Sequence, residues 1–152
     1  MKAFVLAEPG KVKWFDAPEP QLVPYGAILK PVAVTPCSSD VHTVFGGGSK
    51  KQDNLVLGHE CIAEVVSVGE NVCDFKTGDR VAVPAITPDW REKSIQEGND
   101  RHASAPFSGH QLGRTQPGVF SERFLIKDAD TTLAHIPQKI SEEQALMSVD
   151  VV

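Results

Sequence analysis

Cys37, His59, Glu60 and Asp150 are of the residue types that bind metals, and two of their settings are unusual. "CSSDVH" at 37–42 places two hydroxyls directly after a cysteine and a histidine five residues on. "LVLGHECIAEVV" at 55–66 interrupts an apolar run with Gly58, His59 and Glu60. Zinc takes Cys sulfur, His nitrogen and carboxylate oxygen in a tetrahedron, and a catalytic zinc keeps one position open. Each residue alone has a plainer reading. Cysteine is often a small buried hydrophobe. A His-Glu pair at a glycine turn can be two solvated side chains, and Asp150 can sit on the outer face of a helix.

The elements that must position these residues read mostly as strands. "KAFVL" and "KVKWF" flank the turn "AEPG" and predict a hairpin. "AILKPVAV" is a third strand, with Pro31 marking an edge or a bulge. "CSSDVHTVF" predicts one or two helical turns capped by Ser38 or Ser39. Two strands meet at Gly58, and "GDRVAVP" gives another. Residues 84–118 form a long irregular segment rich in Pro and Gly. "GVFSERFLI" alternates, with Phe120, Phe124 and Ile126 on one face. "ISEEQALMSVDVV" predicts a helix of about three turns, opened by a Ser141–Gln144 capping box and acidic Glu142 and Glu143. Short strands with little helix define a mainly β fold, a small partly open barrel.

Composition narrows the function. The 152 residues suit one domain with a core, at 41% hydrophobic and 23% charged. The net charge of -5 comes from scattered acidic residues, and no basic cluster predicts a nucleic-acid partner. No stretch approaches the roughly 20 apolar residues of a membrane helix. Three cysteines without a Cys-x-x-Cys pair predict reduced thiols and a cytoplasmic setting. The plain reading holds for Cys61, Cys73, His102, His135, Trp14 and Trp90. No strand–GxGxxG–helix unit is present, so these residues predict no dinucleotide-binding domain.

The run "GHECIAEVVSVGENVCDFKTGDRV", with "PCSSDVHTVF", "VPAITPDW" and "DADTTLAHIP" in the same order, resembles the zinc-dependent medium-chain alcohol dehydrogenases. The resemblance is strongest to the NADP-dependent secondary alcohol dehydrogenases of bacteria and protozoa, and it covers essentially the whole chain. It implies the GroES-like catalytic domain, residues 1–152, with the dinucleotide-binding domain beyond them. It implies Cys37, His59 and Asp150 as zinc ligands and Glu60 as a ligand that comes and goes. Ser39 matches the hydroxyl that contacts the alcohol, and His42 matches the end of the proton relay. Ser39, Ala85, Ile86 and His110 correspond to pocket positions, His110 standing where the branch carries tryptophan. Ala63 replaces the glycine of GHE-x-x-G. The absence of cysteine from 84–118 implies one catalytic zinc and no structural zinc. The implied substrate is a small secondary alcohol or ketone, with NADP and a homo-oligomer in the full-length protein. The domain alone is expected to be inactive. Two other readings stand beside this one: a stand-alone GroES-like binding or co-chaperone module, and a polyol or amino-acid-alcohol dehydrogenase domain.

Overall fold

The computed structural model describes residues 1–46, 54–87, 93–98 and 110–149. Strands β1 (Lys2–Glu8) and β2 (Lys11–Asp16) form the expected hairpin. Gly10 closes it with φ +77°, a left-handed backbone that glycine adopts freely. Phe4 faces Trp14 across the pair, rings edge-on with centroids 5.4 Å apart. Strand β3 (Ala27–Thr35) leads into helix α1 (Ser38–Phe45). β4 (Leu55–Val56) pairs with the free side of β1, giving the order β2-β1-β4.

Strands β5 (Glu60–Val68) and β6 (Arg80–Val83) continue the fold, followed by β7 (Ile86–Thr87) and helix α2 (Lys93–Gln96). β8 (His110–Gln111) pairs with β7, so the segment read as irregular carries a two-stranded ladder. After it come β9 (Phe124–Ile126), helix α3 (Ala129–Thr132), β10 (Ala134–His135) and helix α4 (Glu142–Leu146). The larger sheet is antiparallel, in the order β10-β6-β5-β3-β9. The result is mainly β with short helices, a barrel that does not close.

Pro31 shows how a central strand tolerates proline. β9 pairs only with Ala27–Leu29, so Pro31 lies beyond its reach. On the other side the β3–β5 register shifts between Pro31 and Ala33. The missing N–H therefore falls where the ladder is open or bulged.

Leu29, Ile62, Val65, Val81, Val83, Val119 and Ile126 are almost wholly buried. Strand β5 is central, and Cys61, Ile62 and Ala63 near its start are buried in succession as a short apolar run. Cys61 sits in this core, and burial pushes its thiol up to about 12. It is a packing residue, as expected. At the far end, Asp130 accepts the N–H groups of Cys73 and Asp74 at 2.8 and 3.0 Å, and Phe75 stacks on His135 at 4.5 Å. These contacts fasten the turn after β5 to α3 and β10.

Two expectations are corrected. The cap of α1 is Cys37, not Ser38 or Ser39, because Asp40 three residues on accepts the Cys37 N–H at 3.0 Å. Helix α4 has its Ser141–Gln144 capping box but ends at Leu146 instead of running three turns. The Ser148 hydroxyl takes the Ala145 carbonyl at 2.7 Å, and side-chain bonding of this sort competes with the helix. Arg80 ties the start of α4 to β6 through Glu142 at 2.9 Å and the Ile140 carbonyl at 3.3 Å.

Leu29 has no exposed surface and sits among the core residues of β3, β5 and β9. Leu29→Ala is expected to lower the unfolding free energy by about 2–5 kcal/mol. A chemical denaturation curve measures this; a loss well under 1 kcal/mol would contradict the packing described.

Candidate metal centre

Register explains how residues 22 apart in sequence meet. β3 and β5 are antiparallel partners, with Val34 opposite Cys61 and Thr35 opposite Glu60. The end of β3 therefore lies beside the start of β5. Two residues past β3 stands Cys37, its backbone still extended at φ -92° and ψ 158°, before α1 begins. One residue before β5 stands His59. Gly58 makes the turn between β4 and β5 with φ +89°, and a Cβ there would lie 2.4 Å from the Phe120 ring. Both the backbone angle and the space require glycine.

One sulfur, one ring nitrogen and one carboxylate oxygen from Cys37, His59 and Glu60 lie within 4.8 Å of one another. Tetrahedral zinc bonds of about 2.0–2.3 Å hold their ligand atoms roughly 3.3–3.8 Å apart, so a small closure suffices. His59 Nε2 is 4.0 Å from Glu60 Oε1 and 3.2 Å from Ser39 Oγ. Glu60 is only 3% exposed. Among the described residues its ion-pair partner is His59, at the full 4.0 Å. A carboxylate so buried calls for closer cationic compensation. The thiol, imidazole and carboxylate thus fit a borderline-soft divalent ion in both kind and placement.

Asp40 completes the arrangement, and the sequence reading passed it over. It is buried, with Oδ1 3.3 Å from His59 Nδ1 and 3.2 Å from the Gly58 nitrogen, whose N–H it accepts. Its other oxygen holds Cys37. A carboxylate on Nδ1 fixes the ring and leaves Nε2 toward Cys37 and Glu60. The signal was present in "CSSD": an acid at the third helical position reaches back to the cap. Burial pushes the Asp40 carboxyl up, but hydrogen bonds from His59, Cys37 and Gly58 outweigh it, and the group stays below 3.8. The Asp40 hydrogen bond raises His59 to about 9 against the opposing effect of burial, with Cys37 adding to the rise.

The other expected residues divide. Ser39 joins the cluster through His59. His42 lies on the exposed side of α1, next to exposed Val41 and one turn before exposed Phe45. Ala85 is half-buried, and its carbonyl accepts the Leu112 N–H at 3.2 Å. Ile86 is exposed. His110 belongs to β8, its backbone opposite Thr87. Asp150 lies outside the described residues.

Fold and cluster together define a GroES-like domain with three side chains of metal-binding type gathered at the junction of β3, α1 and β5. Comparison with known proteins agrees. A family model described as the alcohol dehydrogenase GroES-like domain matches residues 24–138, and the chain belongs to that family. It is 47% identical over 150 residues to a protein named NADP-dependent isopropanol dehydrogenase from Thermoanaerobacter brockii, covering 99% of this chain and 43% of that one. A protein of the same name from Clostridium beijerinckii is 43% identical, with the same coverage. The chain thus spans less than half the length of these relatives. A solved structure, zinc dependent alcohol dehydrogenase 2 from Streptococcus pneumonia, superposes with a TM-score of 0.84 at 30% identity, over 97% of this chain and 41% of that one. Alcohol dehydrogenase TADH from Thermus sp. ATN1 shares the fold with a TM-score of 0.89, at 24% identity over 99% of this chain and 44% of that one.

Two predictions follow from the Asp40–His59 pair. Asp40→Asn is expected to weaken zinc binding by about 10–100-fold, measured against a competing chelator; unchanged affinity would deny Asp40 its role. In chelator-treated chain, a folded pKa raised above the unfolded 6.5 stabilises the fold fully below pH 6.5. That contribution is lost as pH rises through about 9. Asp40, lowered from 3.8, contributes above that pH and loses its effect in acid. The thermal midpoint of the chelated chain should therefore fall between pH 6.5 and 9, and should fall less in His59→Gln. Equal profiles in the two proteins would contradict the pairing.

Proposed function

We propose that this chain is the catalytic domain of a zinc-dependent alcohol dehydrogenase that interconverts small secondary alcohols and ketones with NADP(H). The observation that carries the proposal is the convergence of Cys37, His59 and Glu60 on one point, with Asp40 orienting the histidine. The names of the relatives support the reaction class and the cofactor. Cys37, His59 and Asp150 would hold the zinc, with Glu60 exchanging on and off. A thiolate and two carboxylates together exceed the charge of a divalent ion, so one carboxylate is readily displaced.

Zinc bound there supplies Lewis acidity, lowering the pKa of an alcohol hydroxyl toward neutrality. The chain's own residues do the rest. Ser39 Oγ lies 3.2 Å from His59 Nε2, close enough to the cluster to take the hydroxyl proton of an alcohol lodged beside it while releasing its own hydroxyl proton to the relay. His42, exposed three residues along α1, is assigned the end of that relay, where the proton leaves for solvent. Ala85, Ile86 and His110 are assigned to the substrate pocket by the family resemblance; a small residue such as Ala85 suits a short branched substrate. The cysteine-free stretch 84–118 supports a single catalytic zinc and no structural zinc. The NADP site belongs to the remainder of a longer, homo-oligomeric cytoplasmic protein. No helix among the described residues is long and apolar enough to cross a membrane, and no nucleic acid partner is proposed.

The test is zinc content of the purified chain by elemental analysis, beside His59→Ala. About one zinc per chain, lost in the variant, is expected for a catalytic site of this type. Equal zinc in both proteins, or none in either, would overturn the proposal.

A further inference from the structure

The N–H of Gly58 is held by Asp40; the rest of its close packing comes from a single segment, 113–120. Gly118, Val119 and Phe120 donate their N–H groups to the carbonyls of Val56, Gly58 and Leu57 at 2.9, 3.0 and 2.9 Å. The Phe120 ring lies against the Gly58 Cα. A Cβ on Gly118 would come within 2.3 Å of the Gly58 and Leu57 carbonyl oxygens. A Cβ on Gly113 would come within 3.0 Å of the Gly58 nitrogen and oxygen. Only backbone without side chains packs this closely.

The segment is itself braced. The Gln111 carbonyl accepts the N–H groups of Arg114, Thr115 and Gln116, and the Thr115 hydroxyl accepts the Gln111 N–H at 2.8 Å. Its near end is pinned to residues 85–87 by the β7–β8 pair and by the Leu112 N–H on the Ala85 carbonyl. One turn therefore touches both Ala85, assigned to the pocket, and the peptide that leads into His59.

We propose that Gly113 and Gly118 are positioning residues: their bare backbones seat the Gly58 peptide and so set where His59 meets the metal. They act through Gly58 and touch no substrate. The same turn makes the metal geometry sensitive to changes at 85–87. The inference rests on the metal reading of Cys37, His59 and Glu60, and its test keeps the two apart.

The probe is Co²⁺ added to zinc-stripped chain, read by visible absorption and by titration. Gly118→Ala adds the closer Cβ. Gly113→Asn adds the milder one in a residue that tolerates the observed φ of +71°. Gly78→Ala is the control, since Gly78 has φ +91° but open space around its Cβ. It carries the positive φ of Gly113 without the contact, whereas Gly118 has no positive φ and tests the contact alone. Wild type and Gly78→Ala are expected to share one set of bands, including thiolate-to-cobalt charge transfer. The two contact variants, folded by circular dichroism, are expected to show shifted bands and cobalt binding about 10-fold weaker, as when metal-ligand supports are lost. Unchanged bands and affinity in either folded contact variant would overturn the inference, as would a shift of equal size in Gly78→Ala. A Cys37→Ala protein that keeps the charge-transfer band would overturn the metal reading instead.

Discussion

The structure around the site depends on one buried carboxylate. Asp40 accepts from Cys37 with one oxygen and from Gly58 and His59 with the other. It thereby joins the start of α1 to the turn between β4 and β5. An aspartate without these donors would be costly to bury. With them it is charged and fixed, and it orders both neighbours. The cost of leaving any one donor unpaired makes the arrangement close to all-or-none. Lying at a helix start adds a favourable dipole to the same charge.

The sheet brings that carboxylate to its partners. Antiparallel pairing of β3 with β5 sets Thr35 beside Glu60, and Cys37 and His59, just outside the ladder, gather at Glu60 on its last rung. Ladder geometry is stiff, whereas turns are where side chains can converge. The ligand-type residues therefore stand at the edge of rigid strands, on backbone that Gly58 and the Cys37 cap bend into place. The segment 113–120 adds a third contact, through its backbone bonds to residues 56–58. Each element alone is ordinary; the site arises where they are bonded to one another.

Much of this was legible in the sequence, for identifiable reasons. The hairpin showed as two alternating runs around Pro9-Gly10, and the Gly58 turn showed because glycine and two polar residues broke an apolar run. Pro31 announced the bulge because proline cannot donate to a ladder. The α1 cap was misassigned because serine is the commoner cap, although Asp40 three residues after Cys37 is the local mark of a cap at Cys37. Asp40 went unseen as a site residue for a different reason: its bond to His59 is non-local, set by strand register, which no local pattern encodes. The end of α4 was overextended because weak signals, a serine hydroxyl and β-branched Val149, stop it without glycine or proline. The glycine packing at 113 and 118 was invisible since closeness of two backbones leaves no mark beyond the glycines themselves.

X-ray absorption at the zinc edge tests the central claim most directly, because it reads the atoms around the metal in the loaded chain. The account predicts a single sulfur near 2.3 Å, from Cys37, with nitrogen and oxygen scatterers near 2.0–2.1 Å, one of them carrying the outer-shell pattern of imidazole. A shell of oxygen and nitrogen without sulfur, or sulfur scattering that survives in Cys37→Ala, would contradict it.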